Sequence, residues 1–339
     1  MKAKPIEKSL PILGFNGDVL VSNNLDMSFG LRLFLPELLS CSTEKLYGLH
    51  DAFQRAVNLL PENCLLHKQD FFFVEHFDSH PSKTNGQKSL HQNYLKHFQG
   101  RPFLKHECYF YVSLLNVGLL KNYLGSSLIF SQKQKIQEKW MDEKIGELRS
   151  NLISVFAQSG IRSEVITQQQ AIGNEKTTGL IERYLTLNFK TGEPLLGGID
   201  FRDRLRVMDR FVEILSLSDY THLPSELKPT DGHPQTSLPV SLVYPVTYNL
   251  PFSHITNQFI YVPAQQEVKA ELESSYKKIY SLSRFSSENK INAGLIENFL
   301  DTVQTSGEKV VKTHFNVILL NESIQELKGP SLLLITKGS

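Results

Sequence analysis

Apolar residues Leu46, Leu49, Phe53, Ala56, Val57 and Leu60 recur at helical spacing between Ser42, a suitable N-cap, and Pro61, a stop. They predict one well-defined helix. Ahead of it, Leu10 to Leu35 alternates short apolar segments with Asn16-Gly17-Asp18 and Asn23-Asn24. These residues favour close turns, so the chain is expected to open with strands and a tight hairpin. Beyond the helix, Cys64 to Glu75 is rich in β-formers and reads as a strand. Ser79 to Lys88 reads as an exposed loop, and about Ser89 to Phe98 as a short helix. Cys108 to Leu115 is apolar or aromatic on both alternating faces, as in a central strand covered on both sides. Positions Ile136, Trp140, Ile145, Leu148, Leu152 and Val155 then trace a long amphipathic helix that stops at Ser159-Gly160. The interleaved Lys and Glu residues on its other face mark a solvated surface.

The stretch from Ile161 to Pro239 has one helical segment, Gly179 to Leu187. Gly192, Gly197-Gly198 and the polar, Pro-rich run Pro224 to Pro239 are expected to form connections. A second unit follows, with strand patterns at Val240 to Tyr248, Ile255 to Val262 and Val310 to Leu320. A long helical pattern runs from Gln266 to about Val303 and is open to a break at Ser281 to Ser287. The expected class is α+β, with mixed sheets and helices packed on one face, a form that admits ferredoxin-like units. The expected division is a first domain over 1–160 and a second over 161–339.

Composition narrows the functions available. The 339 residues are 40% apolar, enough for sizeable cores. With 36 basic against 35 acidic residues the net charge is +1, so no global field holds DNA or an anionic membrane. Cys41, Cys64 and Cys108 are few and far apart, which points to reduced thiols and a cytoplasmic setting. The apolar runs, such as Phe71 to Val74 and Val317 to Leu320, fall short of the about 20 residues a spanning helix needs. Membrane contact is therefore expected to be peripheral or through a partner.

Tests for chemistry give little. A P-loop needs backbone to wrap phosphates, a Lys to neutralise them and a hydroxyl for magnesium, and no segment reads G-x-x-x-x-G-K-[ST]. The densest ligand cluster is His67, Asp70, His76, Asp78 and His80, in which His76, Asp78 and His80 alternate and face one way on an extended chain. A metal-dependent hydrolase built on those three is the alternative reading, although a strand end entering a polar loop commonly carries such residues. No G-x-S-x-G elbow occurs, and Cys41 has no base in its sequence neighbourhood, so no catalytic residue, cofactor or metal ligand is assigned. Arg101, Phe103, Lys105, His106, Tyr109 and Tyr111 supply the charge and stacking that single-stranded DNA requires, a weaker alternative than buried strand aromatics.

Five segments together carry a resemblance. They are His67-Lys68-Gln69-Asp70-Phe71, Arg101-Pro102-Phe103-Leu104 with Cys108-Tyr109, Gly179-Leu180-Ile181-Glu182-Arg183-Tyr184, His254-Ile255-Thr256-Asn257-Gln258-Phe259-Ile260, and His314-Phe315-Asn316-Val317. In order and spacing they resemble the amino-terminal region of the Bacteroidetes-type TraG conjugation ATPases, counterparts of the VirB-type ATPase of type IV secretion. The resemblance implies a chain that ends before a RecA-like motor, either a cut piece or a naturally short copy. ATP and Mg are then expected only in that motor, and this chain is not expected to be an enzyme. It further implies a scaffolding part that docks the motor to inner-membrane channel proteins, contributes to subunit association, and lies at the cytoplasmic face without direct nucleic-acid contact. Asp70, Arg101, Glu182, Arg183, Asn257 and Asn316 are expected as buried hydrogen-bonding partners.

Overall fold

In the computed structural model, Ser42 accepts a hydrogen bond from the Lys45 amide at 3.3 Å and opens helix α1 (Thr43–Leu59), which ends at Leu60, before Pro61. The structure describes residues 10–36, 42–78, 89–115, 127–174, 177–187, 198–216, 250, 252–307 and 309–323. Ahead of α1 run β1 (Ile12–Asn16), β2 (Val19–Ser22) and β3 (Met27–Phe34), with β1 and β2 joined by the expected hairpin. After it come β4 (Cys64–His76), α2 (Ser89–Phe98), β5 (Pro102–Leu114), α3 (Ser127–Gln158) and β6 (Arg162–Val165). The strand expected from Cys108 begins six residues earlier, at Pro102.

With α2 inserted between β4 and β5, the elements β3, α1, β4, β5, α3 and β6 form a βαββαβ unit. Its strands lie side by side as β6-β3-β5-β4, the ferredoxin-like arrangement. The helices α1 and α3 pack on one face, where Ala52, Ala56, Leu148, Leu152 and Phe156 meet Leu31, Leu66, Phe110 and Val112.

The rest of the chain extends this sheet rather than building a second unit of the same kind. A short α4 (Gln168–Ile172), the small ribbon β7 (Gly173–Asn174) and β8 (Thr177–Thr178), and α5 (Leu180–Thr186) lead to β9 (Ile199–Asp200), β10 (Arg206–Val207) and β11 (Arg210–Ser216). Then follow β12 (His254–Val262), the helices α6 (Gln265–Leu282) and α7 (Ser287–Ser306), and β13 (Lys312–Asn321). The long helical pattern thus breaks where its serines lie, and Ser286 caps α7. One sheet runs β1-β2-β3-β5-β4-β12-β13-β11-β10-β9, with β6 beside β3, and every described pairing is antiparallel rather than mixed. Among the described residues the second half holds no ferredoxin-like order, because β12 and β13 are direct neighbours joined by the two-helix hairpin. The expected strand Val240 to Tyr248, the Pro-rich run and the side chains of Ile136 and Trp140 lie outside the described residues.

Helices do not keep to one face either. Opposite α1 and α3, alternate strand residues Phe71, Phe73, Tyr109, Ile255 and Ile318 form a second core under Leu180, Tyr184 and Leu187 of the α5 segment. Gly179, in front of α5, is what lets that segment close in. A Cβ there would lie 2.1 Å from the carbonyl carbon and 2.2 Å from the oxygen of Ile172, backbone atoms with no freedom to yield. Gly179→Ala is expected to displace α5 and cost about 2 kcal/mol, read as a lower urea midpoint. An unchanged midpoint would mean that α5 can move without penalty.

Candidate functional site

The α5 face of the sheet carries a ladder of polar side chains where an apolar surface is the default. Antiparallel register places Gln69 of β4 opposite Asn257 of β12, and Asn257 opposite Asn316 of β13. Cross-strand neighbours on one face are within side-chain reach. Asn257 is fully buried and Gln69 is 2% exposed. Gln69 Nε2 donates to Asn257 Oδ1 at 2.9 Å, and His67 Nε2 lies 2.9 Å from the same oxygen. Because that carbonyl oxygen can only accept, His67 carries its proton on Nε2. Asn257 Nδ2 donates to Asn316 Oδ1 at 2.9 Å, and the Asn257 amide also hydrogen-bonds the Tyr184 hydroxyl of α5. One side chain therefore joins three strands and a helix. His67 is further held by stacking on Phe259, with ring centroids 4.2 Å apart.

Beside this ladder sits an ionic group. Arg183 of α5 is 7% exposed and donates to Glu107 Oε2 at 3.1 Å, Arg32 donates to Glu107 Oε1 at 3.2 Å, and the Tyr109 hydroxyl donates to Oε2 at 2.9 Å. Burial alone would raise the Glu107 pKa, but the two guanidiniums and the Tyr109 hydroxyl outweigh it and hold the carboxyl below its ordinary range. Burial, with the Glu107 charge adding to it, pushes Tyr109 up to about 12.

Together the ladder and α5 floor a cavity of about 370 Å³. Apolar Phe15, Leu20, Ile166, Leu180 and Leu185 form most of its wall, with His67, Gln69, Tyr111 and Tyr184 among its polar members. Burial lowers the His67 pKa and raises those of Tyr111 and Tyr184, so all four polar groups are uncharged near pH 7. The only hydrogen bond that the Gln69 side chain makes among the described residues is through Nε2. Asp18 and Ser28 complete the polar lining, and the pocket suits a mainly apolar group able to donate hydrogen bonds, one of them to Gln69 Oε1.

The opposite face has its own polar group. Lys68 and His106 both contact the Asp70 carboxylate, His106 Nε2 at 2.8 Å from Oδ1. Burial would raise the Asp70 pKa, yet the Lys68 charge and the His106 hydrogen bond hold it far below the usual carboxylate range. Phe72 stacks on His106 and on His254 at 4.5 and 4.6 Å. Cys64 and Cys108 are free and buried in this layer, the Cys64 thiol pushed up to about 12 by burial, as inert packing thiols are.

Of the residues singled out from sequence, Asp70, Arg183 and Asn257 are buried and bonded as expected, and Asn316 is partly buried and bonded to Asn257. Arg101 departs from the expectation: it is exposed and lies over the Phe98 ring at 5.3 Å, because β5 is still in solvent at that end. Glu182 departs from the expectation as well: it is exposed, on the side of α5 away from the buried, sheet-facing Arg183. His76 and Asp78 are exposed at the end of β4, and His80 lies outside the described residues. Gln99 donates to Asp78 at 3.0 Å. Among the described residues no group of three or more His, Cys, Asp or Glu is placed to hold a metal. His67 and Asp70 point to opposite faces of β4, which separates them in space. The basic and aromatic strip is divided as well. Tyr109 is core, Tyr111 lines the cavity, His106 serves Asp70 on the other face, and Lys105 pairs with Glu75 at 3.0 Å.

Sequence reasoning missed Glu107. Its signal was a lone carboxylate in an otherwise aromatic strand, on the same alternating face as Tyr109. Scanned against protein-family models the chain matches none, and no curated protein matches its sequence.

Proposed function

We propose that this chain is a docking and scaffolding module of a conjugative DNA-transfer apparatus, of the kind that precedes the motor in TraG-type ATPases, and that it does not itself hydrolyse ATP. One observation carries the reading. All five segments behind the resemblance border the same stretch of sheet, and residues from four of them, His67, Gln69, Tyr184, Asn257 and Asn316, share one hydrogen-bonded ladder. Segments dispersed over 250 residues are thus parts of one structural unit, and a shared fold is what dispersed matches should report. The sequence holds no P-loop, so on this reading ATP and Mg are bound elsewhere. No described helix is long and apolar enough to cross a membrane. The proposed partners are accordingly channel proteins of the inner membrane, which would hold the module at the cytoplasmic face.

The test is a pull-down of the tagged chain against solubilised channel components of its host, with ATPase activity measured on the same sample. Specific capture without hydrolysis is expected. Robust hydrolysis, or no capture of any channel component, overturns the reading.

A further inference from the structure

The α6–α7 hairpin stands apart from the rest of the fold. Its helices pack chiefly on each other, joined by a hydrogen bond from the Tyr276 hydroxyl to Glu297, and Val268 of α6 and Ala293 of α7 are buried. It is anchored mainly at its root, where Gln265 Nε2 donates to the carbonyls of Pro263 and Val310 at 2.9 and 3.0 Å. Yet it is not a solvated hairpin. Ile291, Leu295 and Phe299 follow one another at i, i+4 and i+8 on α7 and are 65%, 61% and 46% exposed. At the tip Tyr280, Leu282 and Phe285 are exposed too, Phe285 by 85%. On a helical wheel the open stripe adjoins the residues that face α6, so α7 is apolar over more than half its circumference and α6 covers only part of it. A water-exposed apolar stripe of this length marks an interaction surface.

The charges say what covers it. The tip carries Arg284 and Lys290 against Glu288, and Lys277 and Lys278 lie level with Glu297 midway along the hairpin. The root carries Glu267, Glu271, Glu273 and Asp301 against Lys269, with Lys312 of β13 3.9 Å from Glu271. The hairpin is therefore positive at one end and negative at the other. A second hairpin laid antiparallel sets tip against root twice over, while a parallel one sets like charges together. Antiparallel two-fold packing also lets the stripe cover itself, with Leu295 near the axis and Ile291 facing Phe299 of the other copy. An anionic membrane would satisfy the basic tip but would leave Leu295 and Phe299, about 15 to 20 Å further down the helix, beside an acidic root.

We infer that the α6–α7 hairpin is a self-association element, which pairs antiparallel with the same hairpin of a second copy of this chain to form a four-helix bundle. The inference stands on the hairpin alone and is independent of the proposed docking role.

Sedimentation equilibrium of the full chain is expected to show a reversible dimer. Leu295→Glu is expected to weaken it roughly 30-fold or more without changing the circular dichroism, since this side chain faces away from α6. Lys290→Glu should weaken it too, and adding Asp301→Lys should restore it, a rescue that misfolding does not produce. Under mild oxidation Leu295→Cys should cross-link to itself and Phe285→Cys should not. A chain that stays monomeric at about 100 µM, far above the range of a specific dimer, overturns the inference. So does cross-linking through Phe285→Cys instead of Leu295→Cys, and so does a monomer that binds phosphatidylserine vesicles through its tip.

Discussion

Asn257→Leu is expected to lower the stability of this protein by about 4 kcal/mol, among the largest effects open to a single substitution. The side chain is 0% exposed and meets hydrogen-bonding groups of four neighbours: Gln69, His67, Asn316 and Tyr184. Leucine fills the space but answers none of them. Each buried polar group left without a partner costs about 1–3 kcal/mol, and the total stays below four times that because Gln69, His67 and Tyr184 also border the cavity, where water can reach them. Asn316→Ala removes one bond at a partly buried position and should cost only about 1 kcal/mol. Urea denaturation of the two variants beside the wild type separates the cases. Equal, small effects would mean that the ladder is an assembly of replaceable contacts rather than one centred on Asn257.

That ladder shows where sequence reading works and where it stops. Period and capping located α1, α2, β4 and the α6–α7 break, because Ser42, Pro61 and the serines near 281–287 act locally, whatever the rest of the chain does. The first ferredoxin-like unit was within reach for the same reason. What sequence did not show was how far the sheet extends. β6 and β11 are short, and β11 has Arg210, Glu213 and Ser216 among its apolar residues, so it lacks a clean alternation and takes its place by pairing with β13. Nor did the pattern foresee helices on both faces. α4 spans only five residues, too few for a helical period to register; α5 was expected as a helix, but nothing in its seven residues shows which face of the sheet it covers, and the two depend on a Thr167 capping box and on Gly179.

The candidate site was legible in parts. Asp70, Arg183, Asn257 and Asn316 were expected to be bonded in the interior, but no local rule pairs residues 59 or 188 positions apart, which is the separation of Asn257 from Asn316 and from Gln69. Register supplies that pairing, and register is a property of the whole sheet. Glu107 was missed for the mirror-image reason. Its partners Arg32 and Arg183 come from a strand and a helix far away in sequence, so nothing near it signalled a buried ionic group.

The second large effect concerns pH. Stability is expected to fall by about 3 kcal/mol between pH 6.5 and pH 4 through His254 alone. This ring is 1% exposed, stacks on Phe72, donates from Nδ1 to the Phe252 carbonyl at 2.8 Å, and has no partner for Nε2 among the described residues. Burial pushes its pKa down to about 4 from 6.5, against the pull of the Phe252 hydrogen bond and the Asp70 charge and with some help from His106. The unfolded chain therefore takes up the proton first. The stabilisation is fully present above about pH 6.5, is lost as the pH falls, and has gone once the pH passes the folded value of about 4. His67, also lowered by burial, adds a slope of the same sign. Asp70 acts in a different window, because its depressed pKa removes stability only below the ordinary carboxylate range near 3.8. His254→Phe keeps an aromatic ring against Phe72 and cannot titrate, so its urea midpoint should depend far less on pH between 6.5 and 4 than that of the wild type. If both proteins lose stability in parallel over that interval, the pH dependence belongs to other groups and His254 is already protonated, or hydrated, in the folded state.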